Sequence, residues 1–450
     1  MRETIDSNRD VLLALLRGEA ANGLMAESWR AGAQLARKLW LDSLLFWRIQ
    51  TLGLSAQVPP DLLQNLRFEY LRTAQRNARI YHELTLLLKQ FACANIPCIP
   101  LKGVYLAERV YGNIAARAMS DIDLLVKPGD LARVEDIMHA SGYRGPKETD
   151  WPPEEREHHG YAHRKNGLAV DVHWNLIHAA HYGIVVDVEA LWERSRPASI
   201  ANQPAREMAI EDQVLYLCVH MTKDFFHGSP LRGLCDLAET LARAETLDWQ
   251  ALVRRAHEWG ADASACVSLR LAKELLHSAV PDDALKALTH GETNLRHVAF
   301  ANEFLFRGQE PGGAAWQYSQ DLAKFAANRT LAQRLGLLLQ RLFPPRKEMA
   351  QIYAIRAESP KVFLYYPVRL VALLFRYGLV VWCLVRGDPQ TRDLVRHHRQ
   401  SDDFQVWLFP GRFAEPRRPA PAIPITSTGE SCQWPGWRTG DRDRAREADA

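Results

Sequence analysis

The sequence predicts an α+β fold in which a small mixed sheet is embedded in a mostly α-helical chain. Three observations carry that reading. Strand-like alternation is confined to residues 91–180, in the runs Ile99 to Val126 and Gly160 to Leu176. Apolar residues spaced by three and four occupy the flanking regions, residues 1–90 and 181–390. From 391 to 450 the chain turns to Pro, Arg, Ser, Thr and Asp, above all beyond Arg412, with few large apolar groups to offset the entropy of ordering. The expected organisation is an N-terminal helical region, an α/β core, a C-terminal helical region and a largely disordered tail.

At 450 residues the chain can bury a substantial core, and 47% hydrophobic with 24% charged residues is the balance of an ordinary globular protein. A net charge of +3 argues against nucleic acid as the main partner. The seven cysteines (Cys93, Cys98, Cys218, Cys235, Cys266, Cys383 and Cys432) are odd in number and form no C-x-x-C pair, so neither a disulfide framework nor a zinc ribbon is indicated. The start, MRETIDSNRDVLLALLRGEA, lacks the marks of a secretory signal, and a reducing cytoplasm is the expected compartment. The apolar stretch Val362 to Val385 contains Arg369 and Arg376 with Pro367 and Gly378. Mid-span charges cost roughly 2.5–3.5 kcal/mol each, which argues against a spanning helix and leaves peripheral membrane contact open.

Residues 1 to 55 carry helical spacing at Val11, Leu12, Leu15 and Leu16, then at Leu39, Leu41, Leu44 and Leu45, until Pro59-Pro60 interrupts it. A long helix is expected over Asp61 to Ala94, with Leu66, Tyr70, Ala74 and Ala78 on one side and Leu84, Leu86, Leu87 and Leu88 continuing it. It delivers the chain into IPLKGVYLAERVYGNIAARAMSDIDLLV, which reads as a short strand, a Lys102-Gly103 turn, a helix over Val104 to Tyr111, a polar link and a second strand. Asp130 after Pro128-Gly129 is the expected N-cap of a helix over Leu131 to Ala140, and Gly142 its left-handed C-terminal cap. Around Asn166-Gly167, a strong hairpin signal, two further strands follow. From Glu189 onward every element reads as helix, including Ile210 to Lys223, Leu231 to Ala244, Trp249 to Trp259 and Ala261 to Ala279. Breaks fall at Pro281 and Pro311-Gly312-Gly313, and further helical stretches at Leu331 to Leu342 and Tyr365 to Leu384.

Side chains alternate between the faces of a strand, so Asp121 and Asp123 share one face while Ile122 and Leu124 enter the core. Two carboxylates that close repel by several kcal/mol in a partly dehydrated site unless a cation lies between them, and a hard divalent ion with oxygen ligands, Mg²⁺ above all, is the natural cation. In VDVHW, Asp171 and His173 also lie on one face. A basic side chain lodged permanently among these acids would leave the ion no place.

The run LKG-x2-LA-x3-YG-x4-R-x2-SDIDLLV, a helix ending in SGYR and the later VDVHW resemble the uncharacterised nucleotidyltransferase family of the DNA polymerase β-like superfamily. The resemblance implies a nucleotidyltransferase core in which Asp121 and Asp123 hold two Mg²⁺ ions and Asp171 serves as third acid and general base. It implies transfer of a nucleoside monophosphate from an NTP, ATP being the type case, to a hydroxyl or phosphate on a small-molecule, glycan or protein acceptor. Lys102-Gly103 stands where many members have Gly-Ser, so a hydroxyl contact to the triphosphate does not carry over. Instead Gly103 permits close backbone approach, and Lys102, Arg117 and Ser120 are the candidate nucleotide-binding groups. In the helical half the resemblance points to His220 and to Asp236 within LRGLCDLAETL. Lys223 and Arg232 read as a solvated helix face, with anion binding as the sharper alternative.

His158, His159, His163, His173, His178 and His181 crowd a short interval, but no H-E-x-x-H arrangement accompanies them and zinc is not expected. The rival to an enzyme is a catalytically degenerate nucleotide-binding or scaffold protein, in contact with a membrane surface through Tyr365 to Leu384.

Overall fold

In the computed structural model, residues 2–19, 24–144, 160–177, 182–227, 229–288, 293–306, 343–346, 349, 359–371 and 400–410 are described. The N-terminal periodicity forms α1 (Arg2–Arg17), α2 (Ala26–Lys38) and α3 (Asp42–Thr51). Pro60 at the first helical position opens α4 (Pro60–Cys93), where a missing N–H costs nothing. Its buried face is Leu66, Asn77, Ile80, Leu84, Leu87, Leu88 and Phe91. Ala78 and Leu86, expected on that face, are exposed, and Asn77 is buried because its side chain binds a loop of the core.

The central sheet has the order β1-β2-β4-β3, built from β1 (Cys98–Leu101), β2 (Asp121–Val126), β3 (Gly160–Lys165) and β4 (Leu168–His173). β1 runs antiparallel to β2, β2 parallel to β4, and β4 antiparallel to β3, so the sheet is mixed as expected. The β3–β4 turn places Asn166 and Gly167 at φ 50° and 78°, the left-handed pair that an Asn-Gly hairpin takes. Every residue of β2 after Asp121 is buried, which is why its apolar run is unbroken.

Between β1 and β2 the chain forms α5 (Lys102–Tyr105), which passes without a break into one wide π-type turn, Leu106–Val110. The expected helix therefore starts two residues early and is not regular. α6 (Leu131–Ala140) follows β2, preceded by a tight turn over Pro128–Asp130. Asp130 does not cap it: its carboxylate accepts from Arg133 instead. Gly142 does adopt the left-handed backbone, at φ 83°.

One element contradicts the expectation of helix throughout from Glu189. After α7 (Val188–Arg194) the chain forms a hairpin, β5 (Arg196–Ile200) and β6 (Gln203–Glu207), before the helices resume. Its strands are polar and contain prolines, and its left-handed turn is Ala201-Asn202, at φ 52° and 57°, without the glycine that marks such turns. Tertiary bonds supply what propensity lacks: the Ala201 N–H donates to the Glu108 carboxylate at 3.0 Å. Further helices among the described residues include α8 (Ile210–His227), α9 (Pro230–Arg243), α10 (Trp249–Trp259), α11 (Asp262–Leu276), α12 (Asp282–Leu288) and α13 (Thr293–Phe304). Asp248 caps α10, accepting from the Ala251 N–H at 2.9 Å.

Sheet and helices share one hydrophobic core that runs from Leu12 through Leu124 and Val219 to Phe409. The break at 311–313, the helix at 331–342, residues 372–384 of the apolar stretch and the tail beyond 412 lie outside the described residues. Among the described residues, no helix is long and apolar enough to cross a membrane.

Candidate active site

The parallel register of β2 and β4 sets Asp123 directly beside Asp171, so the two carboxylates come from neighbouring strands on one face of the sheet. His173, two residues on, brings its Nε2 to 2.8 Å from Asp123 Oδ1. One ligand atom from each of Asp123, Asp171 and His173 lies within 4.8 Å of the others, spacing that can hold a metal ion. Asp121 shares the face of Asp123 but stands outside that group of three.

Leu101 on β1 pairs with Asp123, and the chain turns away at Lys102 with φ 45°. That backbone costs a side-chain-bearing residue roughly 1–2 kcal/mol. It aims Lys102 Nζ at Asp123 Oδ1, 2.9 Å away. Burial works against the Lys102 charge, but Asp123 outweighs it and holds the ammonium above its ordinary pKa. Burial likewise opposes the Asp123 charge, and Lys102 with His173 overcomes it, so its carboxyl lies well below the usual range.

Asp121 and Asp171 are different. Both are half-buried, and among the described residues neither carboxylate accepts a hydrogen bond or ion pair. Burial raises the pKa of each, and the Asp123 charge raises it further. Lys102 thus binds one oxygen of one acid, while Asp121 and Asp171 feel Lys102, Arg117, Arg232 and His173 only at longer range, and burial with the Asp123 charge outweighs that pull. That charge deficit on oxygen donors is what a hard divalent ion fits.

Arg117 does not reach out to the acids with its full fork. Its Nε and Nη2 bind both oxygens of Asp236 on α9, at 2.9 and 2.8 Å, in a pair almost shut off from solvent. The Tyr111 hydroxyl donates to the same carboxylate at 2.9 Å. Asn77 of α4 anchors the loop from beneath, donating to the carbonyls of Ile114 and Arg117. Arg117 Nη1 remains on the Gly103 side: a Cβ built on Gly103 would stand 3.0 Å from Met119 Cβ and 3.1 Å from Nη1. A methyl at Gly103 would therefore need the Met119 and Arg117 side chains to give way. Gly103→Ala is expected to cost about 1–3 kcal/mol by overpacking, read as a fall in the midpoint of thermal unfolding. Ser120 is exposed just ahead of β2, with no side-chain bond to a described residue.

Two helices complete the site. On α8, Tyr216, His220, Lys223 and Asp224 follow at intervals of four, three and one, a single helical stripe. Tyr216 lies beside Lys102, and burial raises its phenol pKa. Burial, with the charges of Lys102 and Lys223, holds His220 well below its ordinary pKa and hence neutral, with Nδ1 3.5 Å from Asp224. Burial raises the Asp224 pKa, against the pull of Arg232 and Lys102. Lys223 and Arg232 are half-buried on the site side and do not form the solvated face expected of them.

Tyr216, Asp224 and Asn77 were not legible as site residues. The stripe Tyr216, His220, Lys223, Asp224 inside an apolar helix was the available signal for two of them. Of the six crowded histidines, His158, His159, His178 and His181 lie outside the described residues, and of His163 only its place on β3 is described.

A family model for an uncharacterised nucleotidyltransferase matches residues 26–277, more than half the chain and all of the site. No curated protein and no solved structure matches it.

Proposed function

The chain belongs to that uncharacterised nucleotidyltransferase family, and from this premise we propose that it transfers a nucleoside monophosphate from an NTP to a hydroxyl or phosphate acceptor, with release of pyrophosphate. The observation that carries the reading is the pair of half-buried, unpartnered carboxylates, Asp121 and Asp171, flanking Asp123 on adjacent strands.

Asp123, Asp171 and His173 fit one divalent ion; in the proposed reaction this would be Mg²⁺, with a second ion held by Asp121 and Asp123. Such ions, when bound, stabilise the charge on the attacking and leaving oxygens of an in-line displacement. The chain's own groups do the rest. Asp171, the third acid on β4, takes the proton of the acceptor hydroxyl. Lys102 keeps Asp123 ionised, and Gly103 lets Met119 and the Arg117 side chain close against the start of α5. Neutral His220 borders the acceptor side.

Asp171→Asn tests the reading. The folded-state pKa of Asp171 lies above its usual 3.8, so its charge costs stability. That cost is absent below pH 3.8, grows as pH rises through the folded value, and is full at neutral pH. Metal-free Asp171→Asn is therefore expected to melt above wild type at pH 7.5, with the difference vanishing below pH 3.8. Mg²⁺ raises the melting point of wild type and not of the variant, and the variant releases no pyrophosphate. Equal responses to Mg²⁺ would sink the assignment. The degenerate-scaffold reading draws on Lys102, which already occupies Asp123; binding of Mg²⁺-ATP by wild type without pyrophosphate release would favour it.

A further inference from the structure

Of the cations that line the site, two are already committed: Lys102 to Asp123, and two nitrogens of Arg117 to Asp236. Lys223 and Arg232 are not. Among the described residues neither side chain makes an ion pair or hydrogen bond, and Lys223 lies over the Tyr182 ring, its Nζ 5.0 Å from the centroid.

Their positions are set by the helices. Lys223 follows Tyr216 by seven residues, two turns along the α8 stripe that begins beside Lys102. Arg232 precedes Asp236 by four, one turn along the α9 face that binds Arg117. Both therefore border the acid face of the sheet.

A half-buried cation without a partner is costly, and cations crowded together more so. Burial lowers the Lys223 pKa to about 8, with Lys102 adding to it, and burial with Arg117 lowers that of Arg232. Asp224 and Asp123 pull on Lys223, and Asp236, Asp224 and Asp121 on Arg232, but none of them ion-pairs with either cation and burial outweighs their pull. The missing partner is an anion with several oxygens, able to reach from one helix to the other.

We propose that Lys223 and Arg232 form a clamp for a polyphosphate, holding the triphosphate of the incoming nucleotide and the pyrophosphate that leaves, opposite the carboxylates of β2 and β4. The proposal rests on the nucleotidyl-transfer reading for the identity of the anion, while its residues and geometry stand apart from it. An Arg fork and a Lys point charge on two helices suit a chain of phosphates better than a single carboxylate.

The test is calorimetric titration of sodium pyrophosphate, with and without Mg²⁺, into the full-length protein at pH 7. Wild type, Lys223→Met, Arg232→Met, the double variant and Arg254→Ala are compared, the last removing an exposed positive charge on α10. Each clamp variant is expected to bind about ten-fold more weakly and the double variant a hundred-fold or more, with Arg254→Ala unchanged. The clamp variants should unfold at or above the wild-type temperature, because a partnerless buried charge has been removed. A structural role would lower it. If the folded double variant binds pyrophosphate like wild type, or wild type does not bind it at all, the clamp is wrong. Wild type that turns over NTP with a KM unmoved in the double variant also overturns the clamp and leaves the transferase reading intact. Wild type that binds pyrophosphate through these residues yet turns over no NTP supports the clamp and removes the transferase reading.

Discussion

Asp123→Asn is expected to abolish nucleotidyl transfer and to weaken the fold at once. The activity loss follows from its place as the carboxylate shared between the proposed ion sites, and should reach roughly a thousand-fold, equivalent to about 4 kcal/mol of transition-state stabilisation. The stability loss follows from Lys102, whose buried ammonium has Asp123 as its ion-pair partner. Removing one partner of a buried pair costs about 3–5 kcal/mol. Adding Lys102→Met to Asp123→Asn should recover most of the stability and none of the activity. Chemical denaturation and pyrophosphate release, measured on the same preparations, separate the two effects. Near-wild-type stability of Asp123→Asn alone would show that Lys102 finds other company.

The second large effect belongs to Arg117 and Asp236. This bidentate pair joins α9 to the loop before β2, with Tyr111 on the same carboxylate. Asp236→Ala should cost about 3–5 kcal/mol, because it strands a buried guanidinium and leaves a phenol hydroxyl unpaired. The double variant Arg117→Met/Asp236→Leu should be markedly more stable than Asp236→Ala, since a neutral apolar pair of similar volume removes the stranded charge. With the single variants Arg117→Met and Asp236→Leu added, chemical denaturation closes a double-mutant cycle and gives the coupling energy. Additive losses would mean the pair is not coupled.

Much of the core was legible because strand chemistry is local. Alternation put Asp121 and Asp123 on one face and Asp171 with His173 on another strand, and Asn166-Gly167 marked the hairpin. Register was not legible: nothing in the spacing of Asp123 and Asp171 says that they are side by side, which is a property of the β2–β4 pairing. The β5–β6 hairpin was missed because polar, proline-bearing strands and an Ala-Asn turn carry no such local signal. Which way a helix faces is equally non-local. Arg232 and Lys223 look like solvent-facing charges until α8 and α9 are packed against the sheet. Arg117 is separated from Asp236 by 119 residues, and only the fold reveals that its fork is spent.

Lys102 holds a left-handed backbone that glycine would adopt freely, in order to set an ammonium on Asp123. The protein therefore carries its own provisional counter-ion. The innermost acid is neutralised from within the chain, and the integrity of that corner of the fold draws on no ion from solution.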